Sequence, residues 1–131
     1  MQIKDRVWYI TGAASGLGAA TAELLHSKGG YVALLDLNLD AAKALEKKLG
    51  SERAHAAQVD VTSEEDVVSA LESCDKRWPD VVPGGCLNAG GVGMAGKTIN
   101  QDGEPFDLDT FKKVVEINVS TAWQYGVRDV R

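Results

Sequence analysis

The sequence predicts an α/β fold built on a parallel β-sheet, and three observations carry that expectation. The apolar run Val7-Trp8-Tyr9-Ile10 leads directly into Thr11-Gly12-Ala13-Ala14-Ser15-Gly16-Leu17-Gly18, and a helix-like pattern of Leu17, Ala20, Leu24 and Leu25 follows. A second apolar run, Tyr31-Val32-Ala33-Leu34-Leu35, is continuous rather than alternating, which suits a strand covered on both faces. Helix-like and strand-like segments then keep alternating, the pattern of α/β domains.

The first strand, its glycine turn and the first helix form the arrangement that holds a dinucleotide pyrophosphate. Unpaired N–H groups at a helix start point at the phosphates, and the helix dipole favours their charge. The three glycines differ in what they permit. Gly12 makes the tight turn, Gly16 lets the backbone approach a ligand, and Gly18 lets helix and strand pack closely. Position 21 is Thr, so the spacing is T-G-x-x-x-G-x-G rather than G-x-G-x-x-G. Taken alone, the cluster also fits a plain strand-to-helix connection.

Lys28-Gly29-Gly30 supplies a glycine cap to the first helix. The second strand ends at Asp36, where an acidic side chain accepts hydrogen bonds from an adenosine ribose and repels a 2′-phosphate. A turn or cap residue is the rival reading of Asp36, and the glycine turn upstream favours ribose. Leu37 and Asn38 stand where a phosphate-binding arginine would otherwise sit, so NAD is expected over NADP.

The second helix is expected over Leu39–Leu49, capped by Asn38 and stopped by Gly50, with Ala42, Leu45 and Leu49 on its inner face. The third strand, residues 54–59, runs to Asp60-Val61-Thr62. Thr62 and Glu65 read as a capping box opening a third helix, whose inner face carries Val67, Val68, Leu71 and Cys74 or Asp75 and which ends at Trp78-Pro79. The fourth strand fits poorly. Pro83, Gly84 and Gly85 weaken a central strand, so it is expected only over residues 85–87. Residues 91–105 read as a loop at the mouth of the site. Asp107-Leu108-Asp109-Thr110 opens a last helix with Phe111, Val114, Val115, Asn118, Val119 and Ala122 on one stripe, and an asparagine buried there needs partners.

The 131 residues suffice for one domain, and 44% apolar with 25% charged residues is ordinary for a globular protein. A net charge of −5 without a basic cluster argues against nucleic acid, and no apolar run approaches a membrane span. The polar start of the chain leaves no room for a targeting segment, so cytoplasm or mitochondrial matrix is the expected setting. Cys74 and Cys86 form no C-x-x-C, and His26 and His55 have no companions at ligand spacing, so no metal site is expected.

In these motifs and their order, over residues 6–119, the chain resembles the short-chain dehydrogenase/reductase family: the glycine turn, Asp36, Asp60-Val61, Asn88-Ala89-Gly90 and Glu116-Ile117-Asn118-Val119. The resemblance implies a Rossmann-like, doubly wound parallel sheet, here of about four strands, and hydride transfer between a nicotinamide and an alcohol or carbonyl. It implies cofactor contacts at Gly12, Ser15, Gly16, Leu17, Gly18, Asp36, Leu37, Asp60, Val61, Asn88, Ala89 and Gly90. Asp60-Val61 would meet the adenine, although Asp60 also reads as a helix cap. Asn118 would belong to the catalytic tetrad and hold a proton-relay water.

The family's chemistry also needs a serine and a Tyr-x-x-x-Lys pair, in which the lysine lowers the tyrosine pKa. The residues four after Tyr9, Tyr31 and Tyr125 are Ala13, Leu35 and Asp129, so the pair is missing from these residues. Residues 120–131 depart from the family's long apolar helix, and a shifted reading frame or a truncation would each explain this. Val92-Gly93-Met94-Ala95-Gly96-Lys97-Thr98 and Glu104-Pro105-Phe106-Asp107 look most like the 3-hydroxyacyl-CoA and hydroxysteroid dehydrogenase branch. The expected function is the NAD-binding portion of such an oxidoreductase, with a small-molecule substrate and a homo-oligomer at full length. A non-catalytic nucleotide-binding module, or a poorly folding truncated product, are the alternatives.

Overall fold

A computed structural model describes residues 2–87, 98–99 and 101–120. Strands β1 (Arg6–Thr11), β2 (Tyr31–Asp36), β3 (Ala54–Gln58) and β4 (Val82–Leu87) alternate with helices α1 (Gly16–Ser27), α2 (Leu39–Leu49) and α3 (Glu64–Arg77). Helix α4 (Leu108–Val115) continues into a π-helical turn, Glu116–Ser120. The four strands form one parallel sheet in the order β3-β2-β1-β4.

The continuous apolar strands have the two-sided burial that such runs require. One face of the sheet packs Trp8, Ile10, Val32 and Leu34 with Ala22 and Leu25 of α1 and Ala42 and Leu45 of α2. The other packs Val7, Tyr9, Ala33 and Leu35 with Val67, Ala70 and Cys74 of α3 and with Trp78. Burial pushes the Cys74 thiol up to about 12, so it behaves as an apolar filler.

Local signals set most boundaries. After α1, the Gly29 N–H donates to the His26 carbonyl at 3.0 Å and the Gly30 N–H to the Leu25 carbonyl at 3.0 Å, with Gly29 at φ +87°: a Schellman cap. The Asn38 side chain accepts from the Ala41 N–H at 3.1 Å and starts α2, which Gly50 ends.

The buried face of α1 is Gly18, Ala22 and Leu25, so that of the helical pattern Leu17, Ala20, Leu24 and Leu25 only Leu25 is covered. Gly18 sits against the turn, where a Cβ would lie 2.1 Å from the Gly12 carbonyl oxygen. Two expectations need correction. The cap of α3 is Ser63, whose hydroxyl accepts from the Asp66 N–H at 3.3 Å; Thr62 instead donates its hydroxyl to Asp60. Strand β4 begins at Val82, earlier than residue 85, and takes in Pro83.

That last difference has a non-local cause. Val7 pairs with Pro83 and Trp8 with Gly85, so Gly84 is the extra residue of a β-bulge, where a proline is tolerated. The buried Trp8 indole lies over this bulge: a Cβ on Gly84 would come within 2.7 Å of its ring and one on Gly85 within 3.3 Å. The two glycines make room for the tryptophan.

Candidate functional site

Parallel strands bring their carboxyl ends to one edge of the sheet. Strand order reverses direction there between β1, which leads to β2, and β4 on its other side, and α/β sheets bind ligands at such a switch point. The glycine turn occupies that position. Gly12 at φ +63° and Gly16 at φ +52° both hold backbone conformations that side chains resist. A Cβ on Gly16 would meet nothing within 4 Å, so its exposed side is open to a ligand.

Ser15 caps α1 in extended geometry and its hydroxyl makes no capping bond, while intrahelical bonding begins with the Ala19 N–H donating to the Ser15 carbonyl at 3.1 Å. The first turn of α1 carries no acidic side chain to offset the positive helix end. Leu17 projects outward beside it. An anion of pyrophosphate size fits the chemistry of this cradle.

Asp36, half-buried at the end of β2, reaches across to that turn. Its Oδ2 accepts from the Ala14 N–H at 2.9 Å and its Oδ1 from the Asn38 N–H at 2.9 Å. Leu37 is exposed, and its carbonyl accepts from the Gln58 Nε2 at 3.1 Å. Asp36 is therefore a turn residue, and it stands beside the glycine cradle.

Asp60 follows β3. Its Oδ1 accepts from the Thr62 hydroxyl at 2.7 Å and from the Thr62 N–H at 2.9 Å, while its own N–H donates to Asp66 Oδ2 at 3.0 Å. The Thr62 hydroxyl and then the Thr62 N–H hold this carboxyl below the usual carboxylate range, with a smaller contribution from the Lys113 charge on α4. Asp60 thus closes the turn between β3 and α3, while the helix cap itself is Ser63. Val61 packs partly against the α3 side of the core.

Asn118 lies in the π-helical turn, and here the structure departs from expectation. It is exposed rather than buried, and its Nδ2 donates to the Val114 carbonyl at 2.8 Å. Of its expected apolar stripe, Phe111, Val115 and Val119 are also exposed, Val114 is half-buried and Ala122 lies outside the described residues, so periodicity identified a common face but not a covered one. Asn88, Ala89 and Gly90 lie outside the described residues. Among the described residues, no group of three or more His, Cys, Asp or Glu could hold a metal ion, and no helix is long and apolar enough to cross a membrane.

Sequence reading missed Gln58 and Thr62 as organisers of these strand ends. Gln58 stands opposite Asp36 in the β2–β3 register, a signal that becomes readable only once the pairing is known.

Residues 6–126 match the family model described as short chain dehydrogenase. The chain belongs to that family. Among curated short chain dehydrogenase relatives, 3-hydroxyacyl-CoA dehydrogenase type-2 of Homo sapiens is 40% identical over 118 residues, covering 89% of this chain and 44% of the relative. An NAD-dependent glycerol dehydrogenase of Listeria innocua is 35% identical over 119 residues, covering 89% of this chain and 43% of its own. The chain therefore spans less than half the length of the curated relatives it matches. Among solved structures, a 3-hydroxyacyl-CoA dehydrogenase type-2 from Mycobacterium avium superposes with a TM-score of 0.82 at 30% identity, over 93% of this chain and 46% of that one. A 3-ketoacyl-(acyl-carrier-protein) reductase from Brucella melitensis, complexed with NADH, gives a TM-score of 0.84 at 23% identity over 98% and 50%, a likeness of fold.

Proposed function

We propose that this short chain dehydrogenase chain is the cofactor-binding portion of an oxidoreductase and takes NAD(H) in preference to NADP(H). Gly12, Ser15, Gly16, Leu17 and Gly18 would cradle the pyrophosphate, Asp36 and Leu37 the ribose, Asp60 and Val61 the adenine, and Asn88, Ala89 and Gly90 the passing cofactor. The bound nicotinamide would supply hydride exchange with an alcohol or carbonyl. Asn118 would order a proton-relay water. The 3-hydroxyacyl-CoA dehydrogenases among its relatives support a 3-hydroxyacyl-CoA as substrate class, with a hydroxysteroid as the alternative.

One observation carries the cofactor choice: the Asp36 carboxylate is bonded to the Ala14 N–H inside the glycine turn. A 2′-phosphate on the adjoining ribose would bring like charges together. At an effective dielectric of about 20, two such unit charges about 5 Å apart repel by roughly 3 kcal/mol, or about a hundredfold in affinity.

Titration with NADH and NADPH, followed by tryptophan fluorescence, tests the reading. Saturable NADH binding is expected, with NADPH at least about tenfold weaker; no response to millimolar NADH overturns it. The rival reading is a nucleotide-binding module without turnover. Oxidation of a 3-hydroxyacyl-CoA by this chain would eliminate it.

A further inference from the structure

We propose that Asp36 is also a positioning residue for the phosphate-binding turn, which its carboxylate ties to the head of α2. The inference rests on the cofactor reading above and extends it from what Asp36 would touch to what it holds in place.

Ala14 sits between Gly12 and Gly16, both in the left-handed region and both poorly restrained by sterics. A turn flanked in this way needs anchors from outside itself. The end of β2 provides two: the Leu35 carbonyl accepts from the Ala13 N–H at 3.3 Å, and Asp36 Oδ2 accepts from the Ala14 N–H at 2.9 Å. The second is charge-assisted and shorter, hence the stronger.

Asp36 is itself fixed from three directions. Its carbonyl accepts from the Val59 N–H at 3.1 Å, its Oδ1 accepts from the Asn38 N–H at 2.9 Å, and Gln58 holds the Leu37 carbonyl at 3.1 Å. A carboxylate offers about four acceptor positions. Two main-chain donors thus leave room for a ribose diol, and one group serves both turn and ligand.

The consequence runs against simple electrostatics. Removing a negative charge beside a phosphate site should by itself strengthen anion binding; removing the anchor of the turn should weaken it. Asp36→Asn and Asp36→Ala separate the two, because both are neutral but only Asn keeps a carbonyl oxygen for the Ala14 N–H. Calorimetric titration of the full chain with inorganic pyrophosphate should show Asp36→Ala binding about threefold to tenfold more weakly than Asp36→Asn, the worth of one hydrogen bond. Amide exchange by NMR in the ligand-free proteins should show the Ala14 N–H exchanging faster in Asp36→Ala than in the parent, with Ile10 and Leu34 unchanged. Equal pyrophosphate affinities in the two variants overturn the proposal, and so does unaltered exchange at Ala14. A parent chain that binds pyrophosphate but not NADH would defeat the cofactor reading and leave this one judged on the variants. If it binds neither, exchange at Ala14 alone decides.

Discussion

From β1 to α3 nearly every large apolar side chain of the sheet is covered on both faces, whereas β4, α4 and the π-helical turn carry Val82, Leu87, Leu108, Phe111 and Val119 in exposed positions. Both regions are rich in apolar residues, so composition does not distinguish them. Topology does. β1 and β2 lie inside the sheet with helices above and below, and β3, though an edge strand, still puts Ala54 and Ala56 into the core beside α2; β4 is the opposite edge strand, and α4 buries no residue among those described. The candidate phosphate and ribose groups all belong to the first region, where backbone and side chains are held before any ligand arrives. Asn118 belongs to the second.

The contrast breaks most visibly in stability. Leu34 is 0% exposed and Phe111 is 56% exposed. Leu34→Ala is expected to cost about 2–5 kcal/mol, and Phe111→Ala, the larger truncation by volume, less than about 1 kcal/mol. Urea denaturation at constant m-value measures both. Comparable losses would mean that α4 is packed in solution and that the two regions form one equally covered unit.

The same contrast explains what could be read from the sequence. α2 carries its stop and start signals within its own segment, at Asn38 and Gly50, and the glycine turn and Asp36 announce themselves by residue type and spacing. The features that escaped depend on partners distant in the chain. Pro83, Gly84 and Gly85 argue against a strand until the Trp8 indole is seen lying over them. Thr62 and Ser63 are both fair helix caps, and the choice falls to Ser63 because Asp60 claims the Thr62 hydroxyl. For the site, the position of Asp36 was legible; its bond to the Ala14 N–H required knowing that β1 and β2 are neighbours.

A smaller effect sharpens the contrast at the edge of the covered region, where Asp60 meets Thr62. A carboxyl depressed in the folded state contributes stability that is present above its unfolded value of 3.8 and lost as pH falls through the folded one. Thr62→Val removes the hydroxyl that is the largest cause of the depression. The variant is expected to be about 0.5–1.5 kcal/mol less stable at neutral pH, with the difference closing as pH falls below the Asp60 titration. His26 and His55, both held below 6.5 chiefly by burial, add a loss of stability on acidification below that value. That loss is common to both proteins and cancels in the comparison. A difference between parent and variant that stays constant into strong acid would show that Thr62 acts by packing rather than through Asp60.

The smallest expected effect is at Asn118. Its Nδ2 bond goes to the Val114 carbonyl one helical turn back on an exposed face, so water replaces it at little cost. Asn118→Ala should change stability by less than about 0.5 kcal/mol. It should also change NADH affinity by less than about twofold, because the groups proposed to hold the adenosine and pyrophosphate stand on the turns after β1, β2 and β3. A proton-relay role would appear in turnover by a catalytically competent protein and not in either of these measurements. A stability loss above about 1 kcal/mol would instead place Asn118 on a packed face, which is what its position four residues after Val114 on an apolar stripe implies whenever such a stripe is covered.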